Sequence, residues 1–129
     1  MIDFGLCNVG WAVADLATAL ERNTVAWLQD GGPAPLAERA LGRSDLALAL
    51  LGGYMAVRAL SAAEREALPL LLSLAHVEYA LSEAEYFSGV LGQESTARLA
   101  HPDFLLGHIA WFAGRQGQAY RRALAAVLA

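Results

Sequence analysis

The chain has 129 residues, a net charge of −4, 57% hydrophobic residues and a mean hydropathy of +0.38. That is enough for one domain with its own core, and the apolar surplus suggests surface meant for a partner. All nine basic residues are arginines, so there is no basic footprint for nucleic acid and no polybasic patch for a membrane. One cysteine, Cys7, excludes an internal disulfide and fits a reducing, cytoplasmic setting. The apolar runs, such as Leu68 to Leu72, fall far short of the roughly 20 residues of a membrane helix.

In chain order, Met1 to Phe4 reads as a short strand, and Gly5, Asn8 and Gly10 as a loop. Trp11 to about Leu28 then carries Val13, Leu16, Ala17, Leu20, Thr24 and Trp27 at helical spacing, with Asp15 where a carboxylate suits the positive end of the dipole. Two glycines and two prolines in Asp30-Gly31-Gly32-Pro33-Ala34-Pro35 make a surface loop. Ser44 is the expected N-cap of a helix to about Val57, and Ser61-Ala62-Ala63-Glu64 is a capping box for the next. Pro69 predicts a stop or kink near Leu68, followed by a central helix over about Leu70 to Leu91 capped by Gly92. Its stripe of Leu70, Leu74, Val77, Leu81, Ala84 and Leu91 is expected to face the core, with Glu78 and Glu85 toward the other side. His101-Pro102-Asp103 turns the chain into two terminal helices, Phe104 to Phe112 and Gln118 to Leu128, separated near Gly114 and Gly117. The expected architecture is one all-α domain over 1–129, with roughly five to seven helices and at most one short N-terminal strand.

Several chemistry-bearing side chains have plainer readings. His76, Glu78, Glu83 and Glu85 share one predicted helix, but the Glu-x-x-His spacing of a di-metal carboxylate site does not occur, and a solvated face explains them. His101 and His108 are read as loop and core residues. Trp11, Trp27 and Trp111 at helical spacing are core rather than pocket. Cys7 precedes a helix N-terminus, which lowers a thiol pKa, yet no histidine is near it in sequence and burial is the simpler reading.

Two segments carry a family resemblance. Ile2-Asp3-Phe4-Gly5, the spacer Leu6-Cys7-Asn8-Val9-Gly10 and Ala14-Asp15-Leu16-Ala17 resemble the metal-binding segment of the aminoglycoside phosphotransferase and choline kinase family, just after its catalytic loop. Gly53-Tyr54, Leu60-Ser61-Ala62-Ala63-Glu64 and Leu68-Pro69-Leu70-Leu71 resemble the helical C-terminal subdomain of the same small-molecule kinases, including the type II homoserine kinases. The resemblance implies the C-terminal part of a protein-kinase-like fold and, as cofactors, Mg²⁺ and ATP. Asp3 matches the aspartate that coordinates Mg²⁺, in keeping with the few carboxylates this ion takes from a protein. Asp15 matches a residue that steadies the catalytic loop by accepting backbone hydrogen bonds. As turn-forming or helix-capping residues, both aspartates also have ordinary structural explanations.

The departures set the functional expectation. Such kinases need a nucleotide-binding lobe with a lysine, then a catalytic loop with an aspartate base and an asparagine metal ligand. No such residues stand ahead of Asp3, and the chain contains no lysine. No turnover and no tight binding of Mg²⁺ or ATP are therefore expected of this chain alone. Residues 1 to 5 are expected to fray or to pair with another chain, because an isolated strand of this length has no stable place in water. The expected partner is a second copy, giving a homo-oligomer or dimer, or the missing N-terminal kinase portion. In the full enzyme a small-molecule acceptor, hydroxylated or cationic, is expected near acidic positions such as Glu78, Glu83 or Glu85. The alternative is a stand-alone all-α module that dimerises without chemistry.

Overall fold

The computed structural model describes residues 10–27, 35–99 and 105–129. The expected strand at Met1 to Phe4 and the His101-Pro102-Asp103 turn lie outside them. The described residues are mostly helical, as expected: α1 Ala12–Thr24, α2 Leu36–Arg39, α3 Ser44–Val57, α4 Ala62–Leu71, α5 Val77–Glu85, α6 Glu94–Leu99, α7 Gly107–Ala113 and α8 Arg115–Leu128, with a π-turn at Tyr86–Val90 after α5. A two-residue ladder was not foreseen. β1, Val25–Ala26, pairs antiparallel with β2, Leu41–Gly42, placing Val25 opposite Gly42 and Ala26 opposite Leu41.

The core forms where α1, α3, α4 and α8 meet. α1 turns Val13, Leu16, Ala17, Leu20 and Thr24 inward at three- and four-residue spacing. α3 contributes Ala47 and Leu51, α4 contributes Leu68, and α8 contributes Tyr120, Leu124 and Leu128. Each such leucine removed from water stabilises the fold by roughly 1.5–3 kcal/mol before entropy. α7 packs on α8 and α2 and brings Trp111 and Phe112 into the same core. Trp111 donates its indole N–H to the Ala40 carbonyl at 2.9 Å, which ties α7 to the residue ahead of β2.

Local signals hold at several helix ends. Glu64 N–H donates to Ser61 Oγ at 3.3 Å and Ser61 N–H donates back to Glu64 Oε2 at 2.9 Å, completing the capping box. The Ser61 backbone N–H, followed by the Arg58 guanidinium at 2.7 Å, holds the Glu64 carboxyl down at about 2. Gly92 has φ +63°, the left-handed conformation expected of a C-cap.

The middle of the chain differs from expectation in three ways. α4 does not stop at Leu68 but runs through Pro69 to Leu71. Proline removes one N–H near the helix end, and burial of Leu68 and Leu72 on both sides holds the turn. The predicted central helix is broken instead at Leu72–His76, a stretch of turns before α5. Its predicted core stripe is also on the wrong side: Leu70, Leu74, Leu81 and Leu91 are exposed, whereas Leu68, Leu72, His76 and Ala80 are buried. The buried set runs at strict four-residue spacing, a second stripe beside the first. Trp27 and Trp111 are core residues, but Trp11 is 78% exposed, contrary to the core reading.

One polar contact inside this core makes a pH prediction. Thr24 Oγ1 donates to the Leu20 carbonyl at 2.8 Å, so the phenol of Tyr120, 2.5 Å away, is the donor to Thr24 Oγ1. Burial pushes this phenol up to about 12 from 10.0. A raised folded-state pKa contributes stability that is complete below the unfolded value and lost as pH rises through the folded one. Stability should therefore fall between about pH 10 and 12. In Tyr120→Phe this component of the alkaline loss should be gone, at a cost of about 1 kcal/mol at neutral pH for the hydrogen bond. Denaturant titrations at a series of pH values check this, and equal alkaline slopes in both proteins would contradict it.

Candidate functional site

Of the residues singled out by sequence, His76 and His108 come together among the described residues, and Asp15, Glu83 and Glu85 do not join them. Asp3 and Cys7 lie outside the described residues. Asp15 sits in the first turn of α1, exposed, and its carboxylate accepts no hydrogen bond from the described residues. Trp11, the residue ahead of this helix, is exposed beside it, while Val13, Leu16 and Ala17 face the core. Along α5, Glu83 is half-buried and Glu85 exposed, and neither meets His76 in an ion pair.

His76 meets partners from elsewhere. Glu21 of α1, His76 at the N-terminal end of α5 and His108 of α7 are all buried, and each offers a ligand-type atom within 4.8 Å of the other two. Glu21 Oε1 and His108 Nε2 are 3.1 Å apart. Neither Glu21 oxygen accepts a well-aligned hydrogen bond among the described residues, so this close pair is not a directed N–H···O bond. The imidazoles of His76 and His108 stack with centroids 4.0 Å apart and planes 5° from parallel. The Trp27 ring lies 3.7 Å from that of His108 and its indole N–H donates to the Glu21 carbonyl at 3.0 Å.

Burial, reinforced by the neighbouring His108 and opposed by Glu21, holds His76 down at about 4. Its ring is neutral at pH 7, the form that ligates metals. A carboxylate taken out of water needs a proton or a positive charge close by. Two imidazoles and a carboxylate suit a borderline transition ion.

Each of the three polar residues occupies an apolar stripe of its own segment. Glu21 follows Val13 and Ala17 at intervals of four, His76 follows Leu68 and Leu72, and His108 precedes Phe112. A polar residue on a buried stripe was the available signal. Glu21 is a lone acid among the apolar members of its stripe, and the partners of His76 lie on other helices, so no local spacing marks either.

Elsewhere, a surface hollow of about 670 Å³ lies between α4 and the end of α8, lined by residues including Leu60, Arg65, Pro69 and Leu128. None of Asp15, Glu21, His76 or His108 borders it. No helix among the described residues is long and apolar enough to cross a membrane. Compared with protein-family models, curated proteins and solved structures, the chain matches none.

Proposed function

We propose that this chain is the C-terminal helical part of an ATP-dependent small-molecule phosphotransferase of the aminoglycoside, choline and homoserine kinase type, inactive by itself. The supporting observation is the start of α1. Asp15, which the family resemblance assigns to steadying a catalytic loop, stands exposed in the first turn next to exposed Trp11, on a helix whose other side is committed to the core. A surface of this kind can receive a loop from outside the described helices. Asp3, in the segment leading into α1, supplies a carboxylate for Mg²⁺, and ATP is held by groups this chain does not contain. With no lysine and no catalytic-loop aspartate, positioning and charge stabilisation are both missing, so turnover requires the remaining kinase portion.

The DNA ahead of the Met1 codon tests this reading first. It is expected to encode a lysine-bearing lobe ending in an aspartate- and asparagine-containing catalytic loop, in the same or an adjacent frame. Its product should co-purify with this chain. An unrelated upstream sequence together with a chain that purifies alone would count against the proposal.

A second reading has its own support. Leu70, Leu74, Leu81 and Val90 are 62%, 59%, 53% and 69% exposed along α4, the turns after it, α5 and the π-turn, which fits an all-α module that dimerises without catalysis. Light scattering separates the two: a dimer indifferent to Mg²⁺-ATP and to the upstream product supports the module.

A further inference from the structure

We propose that Glu21, His76 and His108 form a closed structural site for one transition-metal dication, with Zn²⁺ the best match. The inference is independent of the phosphotransferase reading, since it uses neither Asp3 nor Asp15 and asks for no nucleotide.

Three observations carry it. First, the donor set of two imidazoles and one carboxylate is one Zn²⁺ takes readily, whereas Mg²⁺ prefers oxygen and keeps its waters. Second, Glu21 Oε1 and His108 Nε2 are 3.1 Å apart without being aimed at one another. Two ligands about 2.0–2.1 Å from a tetrahedral ion stand about 3.3 Å apart, so this pair already has the spacing of one edge of such a site. Third, the Glu21 carboxylate is completely buried and its second oxygen accepts no hydrogen bond among the described residues. That oxygen can complete the coordination as the second arm of a bidentate carboxylate.

The remaining adjustment falls on His76. Its ring stacks on His108, so the lone pairs of the two rings lie in parallel planes and do not converge on one point. The ligand-type atoms already lie within 4.8 Å of one another, and the proposal asks for a turn about the His76 Cβ–Cγ bond to close that to ligand–ligand spacing. His76 ends the Leu72–His76 turns, where the backbone leaves α4 and enters α5. All three residues are buried, which fits a structural role in holding α1, the start of α5 and α7 together. The segment it anchors matters: α5, the π-turn and α6 pack chiefly on one another, and the ion would fix the base of that arm to the core.

The test uses the full chain stripped with chelator and titrated with Zn²⁺, Co²⁺ and Mg²⁺ separately. The expected result is one Zn²⁺ per chain after gel filtration, a rise in thermal midpoint, and with Co²⁺ the intense visible absorption of a four-coordinate site, displaced by Zn²⁺. Mg²⁺ should do none of these. Glu21→Gln and His76→Gln should each weaken Zn²⁺ binding by about 100-fold or more, while Cys7→Ser combined with His101→Gln should leave it unchanged. Wild-type Co²⁺ spectra decide the matter even if a site variant fails to fold. Absence of a four-coordinate Co²⁺ spectrum, binding below one equivalent, or loss of binding in the Cys7 and His101 variant would overturn the proposal.

Discussion

Gly117→Ala should lower the thermal midpoint by about 10 °C or more, an effect far larger than an alanine for glycine normally has within a helix. A Cβ at this position would meet the Trp111 carbonyl oxygen, the Phe112 Cα at 2.5 Å and the Trp111 carbonyl carbon at 2.9 Å. All three are backbone atoms of α7, so no side-chain rotation relieves the clash. α8 must move away from α7, and the separation loosens Trp111, Phe112 and Tyr120 together. Overpacking of this kind costs about 3 kcal/mol or more, a large part of a typical stability of about 5–15 kcal/mol. Thermal unfolding followed by circular dichroism measures it, and a shift below about 2 °C would mean that α7 and α8 do not approach this closely.

Trp111→Ala should be the most damaging single truncation in the core. The indole is buried, packs edge-on against Trp27 at 5.2 Å and Phe112 at 4.9 Å, and lies 5.9 Å from Tyr120. It also fills the space left by the missing side chain of Gly42, whose Cβ would come within 2.9 Å of it. Removing a buried tryptophan costs about 3–5 kcal/mol through lost transfer energy and the cavity left behind. Loss of its N–H leaves the Ala40 carbonyl without that donor at about 1–3 kcal/mol more. The sum is of the order of the whole stability, so the variant should be largely unfolded or molten at 37 °C. Trp111→Phe restores most of the bulk but not the donor, and should recover roughly half of the loss. Urea titration of both variants checks this; a Trp111→Ala protein within about 1 kcal/mol of wild type would place the indole outside the core.

Features that depend on neighbouring residues were readable in the sequence. The Ser61 and Glu64 capping box, the left-handed Gly92 and the break at Gly114 each follow from chemistry within a few positions. The choice of inward face between Leu72 and Leu91 did not. Two stripes offset by two residues both contain leucines, and periodicity alone favoured the one with more of them. The structure buries the other because Leu68 and Leu72 belong to the core that α4 shares with α1 and α8, information held by distant helices. Pro69 was misleading for a related reason: a missing N–H near a helix end is a small loss when packing holds the turn on both sides.

The buried Glu21, His76 and His108 centre shows the same limit. Its members come from α1, the start of α5 and α7, and no local spacing connects them. What the sequence did contain was a polar residue on an apolar stripe in three places. A single one is commonplace, and only the fold shows that the three converge. Asp3 and Asp15 are the reverse case, since their functional meaning rests on resemblance and the described geometry supports only the exposure of Asp15.

Phosphotransfer from Mg²⁺-ATP to a panel of choline, homoserine and aminoglycoside acceptors tests the phosphotransferase proposal. It is made on this chain alone, and on this chain co-expressed with the product of the upstream reading frame. No product is expected from the chain alone, and transfer to one acceptor class is expected from the pair, falling by about 100-fold or more in Asp3→Asn. Turnover by the chain alone, or a pair whose activity ignores Asp3→Asn, would contradict it.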